Sequence, residues 1–250
     1  MFESPRPQET IAQQPTELQY PPEWHIERID QYFRKQQHGL GLTDALMKDK
    51  KILDVGAGGR EFAAGVLLNH ITEEIYSLEP GLSEHFQQTF TPDRTAEEVR
   101  DIVNKRKQRI GHLPPEIQEK INQKTVVALG EQAPFRNNFF DIVVATCVNY
   151  ADGNIQQLAE RLCELLAVGK EVRIAPVGSE NPYPQFAEHP MNKKFFDQAL
   201  ILAREKMPFD FEYQTTSEEY HPDYLQPRGP ENPRLLLKNE VLILRKRLAD

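Results

Sequence analysis

Residues 51–62 read KILDVGAGGREF, an apolar segment that runs directly into a cluster of glycines. The apolar residues predict a short buried strand, and the glycines predict a tight turn that bulkier residues would not form easily. A strand, a glycine-rich turn and a helix in this order commonly bind a nucleotide-like ligand. We therefore expect a ligand site at the end of this strand.

Strand-like and helix-like segments alternate along the rest of the chain. Together with the first, seven strands are predicted, at residues 51–55, 73–80, 125–129, 140–148, 171–177, 209–216 and 240–246. Amphipathic helices, with apolar residues three or four apart, are predicted between most of them. Alternating strands and helices, with two strands almost continuously apolar, indicate a parallel sheet covered on both faces. The predicted fold class is α/β, with a doubly wound, mostly parallel seven-stranded sheet and helices on both faces.

The predicted domain organisation is one α/β domain preceded by a flexible tail. Residues 1–20 are rich in Gln, Pro, Glu and Thr and poor in large apolar residues, which is typical of disorder. Residues 21–250 form the domain, which begins with N-terminal helices. A long stretch at 80–124 separates the second and third strands, and we interpret it as a helical insertion. Within it, Thr95 and Glu98 have the spacing of a capping box.

The composition is typical of a cytoplasmic protein. A net charge of −8 makes nucleic acid an unlikely partner. No run approaches the ~18 apolar residues of a membrane span, and the N-terminus lacks the pattern of a secretory signal. Cys147 and Cys163 lie in apolar segments without the spacing of metal ligands, so we expect reduced core residues and no metal site.

One candidate ligand for the glycine turn is a dinucleotide. Its fingerprint is Gly-x-Gly-x-x-Gly; Gly56 and Gly58 supply the first two glycines, but the third position is Glu61. A carboxylate in the first turn of the following helix repels a pyrophosphate bound at the helix N-terminus. An NAD-dependent oxidoreductase is therefore the weaker alternative.

Four blocks of sequence, in the right order, resemble the class I S-adenosylmethionine-dependent methyltransferases. The blocks are ILDVGAGG, IYSLEP, ALGEQAPFRNNFFDIVVATCVNYADG and LAERLCELLAVGKEVRIAP, and they fall within residues 50–178. The resemblance implies a Rossmann-like fold, S-adenosylmethionine as the cofactor and methyl transfer as the activity. No acceptor signature is present, so the acceptor is expected to be a small molecule or a protein, and the catalytic residues stay unknown.

The resemblance also implies which residues bind the cofactor. Asp54 would orient the glycine loop and the methionine amino group, and Glu79 would accept hydrogen bonds from both ribose hydroxyls. The GEQAPF segment would follow the adenine, with Gly130 and Glu131 nearest to it, and the CVNYADG segment, which leaves the fourth strand, would lie beside the sulfonium. The implied cofactor-binding residues are Asp54, Gly56, Ala57, Gly58, Glu79, Gly130, Glu131 and Cys147. We expect Glu79→Ala to weaken cofactor binding and to leave the fold intact.

Three features depart from the family pattern. Arg60 replaces the usual third glycine, and we expect its side chain to point outward or to pair with a carboxylate. Leu129 replaces an aspartate near the adenine, and the long 80–124 stretch suits a lid or a protein-binding surface. These departures favour an alternative, a catalytically inactive binding protein with the same fold. The basic run NKRKQR at 104–109 predicts a solvated helix face, with a nucleic-acid or partner patch as the less favoured interpretation.

Overall fold

Seven strands form one sheet in the part of the chain that the structure describes. The computed structural model describes residues 22–129, 134–146, 154–178, 193–216 and 239–247. The strands are β1 (Ile52–Val55), β2 (Ile75–Leu78), β3 (Thr125–Val126), β4 (Phe140–Thr146), β5 (Gly169–Gly178), β6 (Phe209–Thr216) and β7 (Asn239–Lys246). Their order across the sheet is β3-β2-β1-β4-β5-β7-β6.

Helices cover both faces of this sheet. They are α1 (Pro22–Gly39), α2 (Asp44–Met47), α3 (Glu61–Leu68), α4 (Glu84–Phe90), α5 (Ala96–Gln108), α6 (Pro115–Gln123), α7 (Ile155–Val168) and α8 (Lys193–Lys206), with a 3-10 turn at Pro80–Leu82. Buried side chains of α1, α3 and α6 share one apolar cluster, whereas those of α7 and α8 share another. No helix within the described ranges combines the length and apolarity needed to cross a membrane. The predicted tail at 1–20 lies outside those ranges.

The strand order reverses at β1. From β1 the chain moves outward to β2 and β3, and it then returns to place β4 and β5 on the other side of β1. These five strands are parallel, while β7 is antiparallel to both β5 and β6. The predicted mostly parallel, doubly wound sheet is confirmed. Ligands of such sheets bind beyond the carboxyl ends of the strands where the order reverses, here β1 and β4.

Alternate residues of β1 supply the two apolar layers. Ile52 belongs to the cluster that contains Phe33 of α1 and Phe62 of α3. Leu53 belongs to the opposite cluster, with Leu162 of α7. All five side chains are at most 2% exposed, and full burial of each contributes about 1.5–3 kcal/mol. The strand that precedes the glycine turn is therefore fixed from both sides.

The close approach of α1 to α3 depends on Gly65. A Cβ atom at Gly65 would overlap the Cβ and Cγ atoms of Phe33. We expect Gly65→Ala to lower the free energy of unfolding by about 1–3 kcal/mol, because the overlap forces α1 away from α3. Urea unfolding measures this loss. In a double-mutant cycle with Phe33→Ala, the combined loss should be smaller than the sum, and strict additivity would contradict the contact.

A buried arginine joins the connection after α1 to the sheet. Arg173 of β5 donates from Nη1 to the carbonyl oxygens of Leu40 and Gly41, at 3.0 and 2.7 Å. Its Nε donates to Glu171 Oε1 at 2.6 Å. Because Arg173 is buried and charged, these bonds replace its lost hydration. They also fix the C-terminal end of α1 beside the sheet.

The third strand is shorter than the predicted 125–129. Only Thr125 and Val126 pair, with Ser77 and Leu78 of β2. The chain turns into the 3-10 turn soon after Leu78, so a longer β3 would have no partner at this edge of the sheet.

Gly169 is the C-terminal cap of α7, but without the left-handed conformation common for a glycine at a helix end. The residue is extended, with φ −112°, and it is already the first residue of β5. A Cβ atom at Gly169 would overlap Val143 of β4, so the position requires glycine for close strand packing. By contrast, the predicted capping box of Thr95 and Glu98 at the start of α5 is confirmed.

Candidate functional site

A cavity of about 230 Å³ lies where the strand order reverses. Its wall is formed by the glycine turn after β1, the end of β4, one side of α1 and two arginines, one in α5 and one directly after it. The lining residues are Tyr32, Gln36, Asp54, Gly56, Ala57, Gly58, Gly59, Glu61, Arg106, Arg109 and Thr146. The structure thus brings together four residues of the predicted set: Asp54, Gly56, Ala57 and Gly58.

The glycine turn has the backbone conformation that its sequence predicts. Gly56 and Gly58 have φ values of +70° and +54°, a region that favours glycine. A Cβ atom at Gly58 would meet no protein atom within 4 Å. The backbone of Gly58 therefore leaves open space beside the cavity, which a ligand can approach closely.

Asp54 is a buried carboxyl group beside the cavity. Asp54 is 2% exposed. Burial, and then the nearby charges of Glu79 and Glu61, raise the pKa of Asp54 to about 8. A carboxyl group in this environment gains from a cation, because a positive charge offsets both the burial and the negative neighbours.

Glu79 organises the backbone around the cavity. Its Oε2 accepts a hydrogen bond from the Gly58 N–H at 2.5 Å, and its Oε1 accepts one from the Gly81 N–H at 2.7 Å. Oε1 also accepts from Arg106 Nη1 at 2.6 Å. The Glu79 side chain is 5% exposed, and that of Arg106 is 34% exposed. Glu79 therefore joins β2, the glycine turn and α5.

A second arginine, directly after α5, pairs with the other glutamate of the site. Arg109 Nη1 lies 2.7 Å from Glu61 Oε1, with side-chain exposures of 61% and 12%. A Cβ atom at Gly59 would overlap both side chains, so glycine makes room for this pair. The basic run at 104–109 was predicted to be a solvated face; this is wrong for Arg106, which is bonded to the buried Glu79, whereas Arg109 is mostly exposed although it borders the cavity.

The spacing of α5 contains the signal that could have located Arg106. Val99 and Val103 are buried, as is Ile110 just after the helix. Arg106 follows Val103 by three positions and precedes Ile110 by four, so it continues the same inward-facing stripe. A cation within an apolar stripe predicts a buried acidic partner, which is Glu79.

Arg60 does not point outward, and within the described ranges it forms no ion pair with a carboxylate. The residue is 4% exposed, with Nη1 donating to Asn122 Oδ1 at 2.8 Å and Nη2 donating to the Lys107 carbonyl oxygen at 3.2 Å. It precedes α3 in a left-handed conformation with φ +68°. Its side chain thus connects the glycine turn to α5 and α6, and it does not line the cavity within the described residues.

The N-terminal helix covers one side of the cavity. Gln36 Nε2 donates to the Thr146 hydroxyl at the end of β4, at 2.9 Å. Tyr32, one turn earlier on α1, also lines the cavity. The sequence predicts the N-terminal helix but does not single out these residues, because an amphipathic pattern does not reveal which side chains border a distant strand.

The comparisons with known proteins agree with this topology. No protein-family model and no curated protein sequence matches the chain. Two crystal structures of the methyltransferase domain of bacterial CtHen1 are similar to it. The first has a TM-score of 0.51 at 15% identity and covers 86% of this chain and 98% of its own. The second has a TM-score of 0.52 at 17% identity and covers 84% and 99%. The chain has the class I methyltransferase fold.

The structure places only one of the other four predicted cofactor-binding residues of this methyltransferase fold. Glu79 lies beside the cavity, under Arg106. Gly130, Glu131 and Cys147 lie outside the described residues.

Two other residues, Asp141 and Cys163, have structural roles. Asp141 accepts from the Lys51 N–H at 3.0 Å and from Lys170 Nζ at 2.7 Å, so it fixes the start of β4. Cys163 is half-buried against α8, and burial raises the pKa of its thiol. A raised pKa keeps the thiol protonated, which is unfavourable for a nucleophile.

Proposed function

We propose that the protein is an S-adenosylmethionine-dependent methyltransferase that acts on a small-molecule or protein acceptor. The single observation that carries the proposal is the buried Asp54 carboxyl group at the glycine turn, with Glu79 at the adjacent strand end. S-adenosylmethionine supplies an activated methyl group on a sulfonium, and the protein positions it and excludes water.

The charges around the cavity suit this cofactor. Three acidic side chains, Asp54, Glu61 and Glu79, face two basic ones, Arg106 and Arg109. S-adenosylmethionine carries a sulfonium and an ammonium against one carboxylate, so its net positive charge favours the ionised form of Asp54, which burial and the neighbouring glutamates disfavour. Asp54 would accept from the ammonium, and Glu79 would accept from the ribose hydroxyls.

A dinucleotide suits the same cavity less well. Glu61 is the first residue of α3, and its side chain is held at the turn by Arg109. A pyrophosphate at this helix N-terminus would meet a carboxylate, which offsets the attraction of the backbone N–H groups. The NAD-dependent alternative therefore lacks support at the N-terminus of α3, where a pyrophosphate would have to bind.

A thermal-shift measurement with S-adenosylmethionine, S-adenosylhomocysteine and NAD tests the proposal. At a ligand concentration of about 100 times its dissociation constant, binding stabilises the fold by about 2.7 kcal/mol. For a chain of this size, the midpoint should rise by roughly 5–10 °C. We expect this rise with the first two ligands, and a rise with NAD alone would reverse the proposal.

Gly58→Ala provides the control for this measurement. Its methyl group meets no protein atom and enters the open space beside the cavity. We expect a cost of about 1–2 kcal/mol for the left-handed backbone, together with loss of the ligand-induced shift. A shift as large as that of the wild type would mean that the ligand binds elsewhere.

The alternative of an inactive binding protein is favoured by one observation, the closure of Arg106 over Glu79. Transfer of labelled methyl from S-adenosylmethionine to small-molecule or protein fractions of an extract separates the two functions. Ligand binding without transfer to any fraction would support the inactive alternative.

A further inference from the structure

Arg106 stands between the cavity and the carboxylate that is proposed to bind the ribose. Among the described residues that line the cavity, Arg106 is present and Glu79 is not. The guanidinium lies 2.6 Å from Glu79 Oε1. A ligand in the cavity therefore meets the arginine before it reaches the carboxylate.

The hydrogen-bonding capacity of Glu79 is too small for the ribose and Arg106 together. A carboxylate offers about four lone-pair positions. Three donors already use them: the Gly58 N–H, the Gly81 N–H and Arg106 Nη1. Two ribose hydroxyls would bring the number of donors above this capacity, so one of the three must leave.

Arg106 is the donor that can leave. The N–H groups of Gly58 and Gly81 belong to the glycine turn and to the 3-10 turn, whose backbone is fixed by neighbouring strands. The Arg106 side chain is one-third exposed and can regain hydration when it swings away. Its displacement costs less than rearranging either turn.

Neighbouring residues hold the Arg106 side chain against Glu79 when no ribose is bound. A Cβ atom at Gly81 would overlap Arg106 Nη1, so this glycine makes room for the guanidinium. Val99 and Val103, on the same stripe of α5, are buried and orient the arginine inward. The contact is therefore part of how α5 docks on the glycine turn.

We infer that Arg106 takes the place of the ribose on Glu79 and thereby sets the affinity for the cofactor. The inference rests on the proposed function. Cofactor entry breaks the bond from Arg106 to Glu79 and loosens α5, and any partner or acceptor that draws Arg106 away from Glu79 raises the affinity for the cofactor. The insertion thus regulates the site through one side chain.

Calorimetry with S-adenosylhomocysteine tests this competition. Arg106→Met removes the charge and keeps the apolar stem that packs on α5. We expect it to bind S-adenosylhomocysteine about tenfold more tightly than the wild type, because the ribose no longer displaces a charged donor. With the analogue that lacks both ribose hydroxyls, the gain should disappear.

Arg109→Met is the matched control. Arg109 lies three residues after Arg106, at the C-terminal end of α5, carries the same charge and lines the same cavity, but it pairs with Glu61. Its exposed ion pair should change the affinity less than about threefold. An equal gain in both variants would mean that total charge, and not competition for Glu79, determines the affinity.

Each outcome decides the inference. Unchanged or weaker binding to Arg106→Met, with normal binding to the wild type, overturns it and leaves the proposed function standing. Absence of binding to both proteins overturns the proposed function and the inference with it. If Arg106→Met does not fold, hydrogen exchange of the α5 amides in the wild type decides: the inference requires faster exchange with S-adenosylhomocysteine, and slower or unchanged exchange overturns it.

Discussion

Asp54→Asn is expected to raise the free energy of unfolding by about 5 kcal/mol at pH 8, although it changes a residue in the wall of the candidate site. The reason is the raised pKa of Asp54, about 8 in the folded protein against 3.8 as its ordinary value. Ionising this carboxyl group costs free energy only in the folded chain, at about 1.4 kcal/mol for each pKa unit. Asparagine has a similar shape and does not ionise.

The sign of the pH dependence follows from proton uptake. Between pH 3.8 and about 8, the folded chain holds a proton on Asp54 that the unfolded chain has released. Rising pH therefore favours unfolding in this window, and the stability contributed by the protonated carboxyl group is lost as the pH passes through about 8. The advantage of Asp54→Asn should grow from pH 5 to pH 8 in guanidinium unfolding.

Asp141→Asn is the matched control. Burial alone would raise the pKa of Asp141, but the hydrogen bonds from Lys170 and from the Lys51 N–H outweigh it and lower the pKa. Its ionised form stabilises the fold, so this variant should lose about 1–2 kcal/mol at pH 8. A loss in Asp54→Asn that resembles the loss in Asp141→Asn would contradict the prediction. Under the proposed function, Asp54→Asn should also bind S-adenosylhomocysteine at least tenfold more weakly.

Glu79→Ala is expected to lower the free energy of unfolding by about 2–4 kcal/mol, in addition to any loss of cofactor binding. The substitution leaves the Gly58 and Gly81 N–H groups and the Arg106 guanidinium without the carboxylate that they share. Each unsatisfied buried donor costs about 1–3 kcal/mol, reduced here because Arg106 can turn toward water. The sequence-based expectation of an intact fold thus overlooked the three contacts.

Glu61→Ala offers a direct comparison. It also removes a buried glutamate that pairs with an arginine. This arginine, Arg109 at the end of α5, is mostly exposed. We expect a loss of about 1 kcal/mol or less. Thermal and urea unfolding of both variants measure the difference. Equal losses would show that Glu79 contributes only one more ion pair, and not the junction of two turns with a helix.

Local sequence patterns were sufficient to predict the strands, helices and glycine turn that form the frame of the site. Strands such as β1 and β4 are apolar runs whose neighbours are helices with clear periodicity, and their order along the chain restricts the sheet to few topologies. The glycine turn, Asp54 and the strand end at Glu79 follow from that frame, because chain direction places the carboxyl ends of parallel strands together.

The side-chain contacts in and behind the cavity wall could not be predicted in the same way. The run at 104–109 has the charge of a solvated surface, and although the spacing of α5 places Arg106 on the buried stripe, it does not reveal that the acidic partner is Glu79, 27 residues earlier in the chain. Arg60 likewise becomes a buried connector because Asn122 lies opposite it, 62 residues later. Contacts of this kind depend on how the helices dock, and local propensity contains no information about docking.

The anchoring of α1 has a consequence for how the nascent chain matures on the ribosome. Leu40 and Gly41 are bonded to Arg173, which follows them by 133 and 132 residues. Gln36 reaches Thr146 across 110 residues. The contacts that hold α1 over the cavity therefore form late, after β4 and β5 have emerged, whereas the apolar side of α1 can pack on α3 earlier. Until then, the glycine turn lacks this cover, and a ligand of the cavity cannot serve as a template for the early steps of folding.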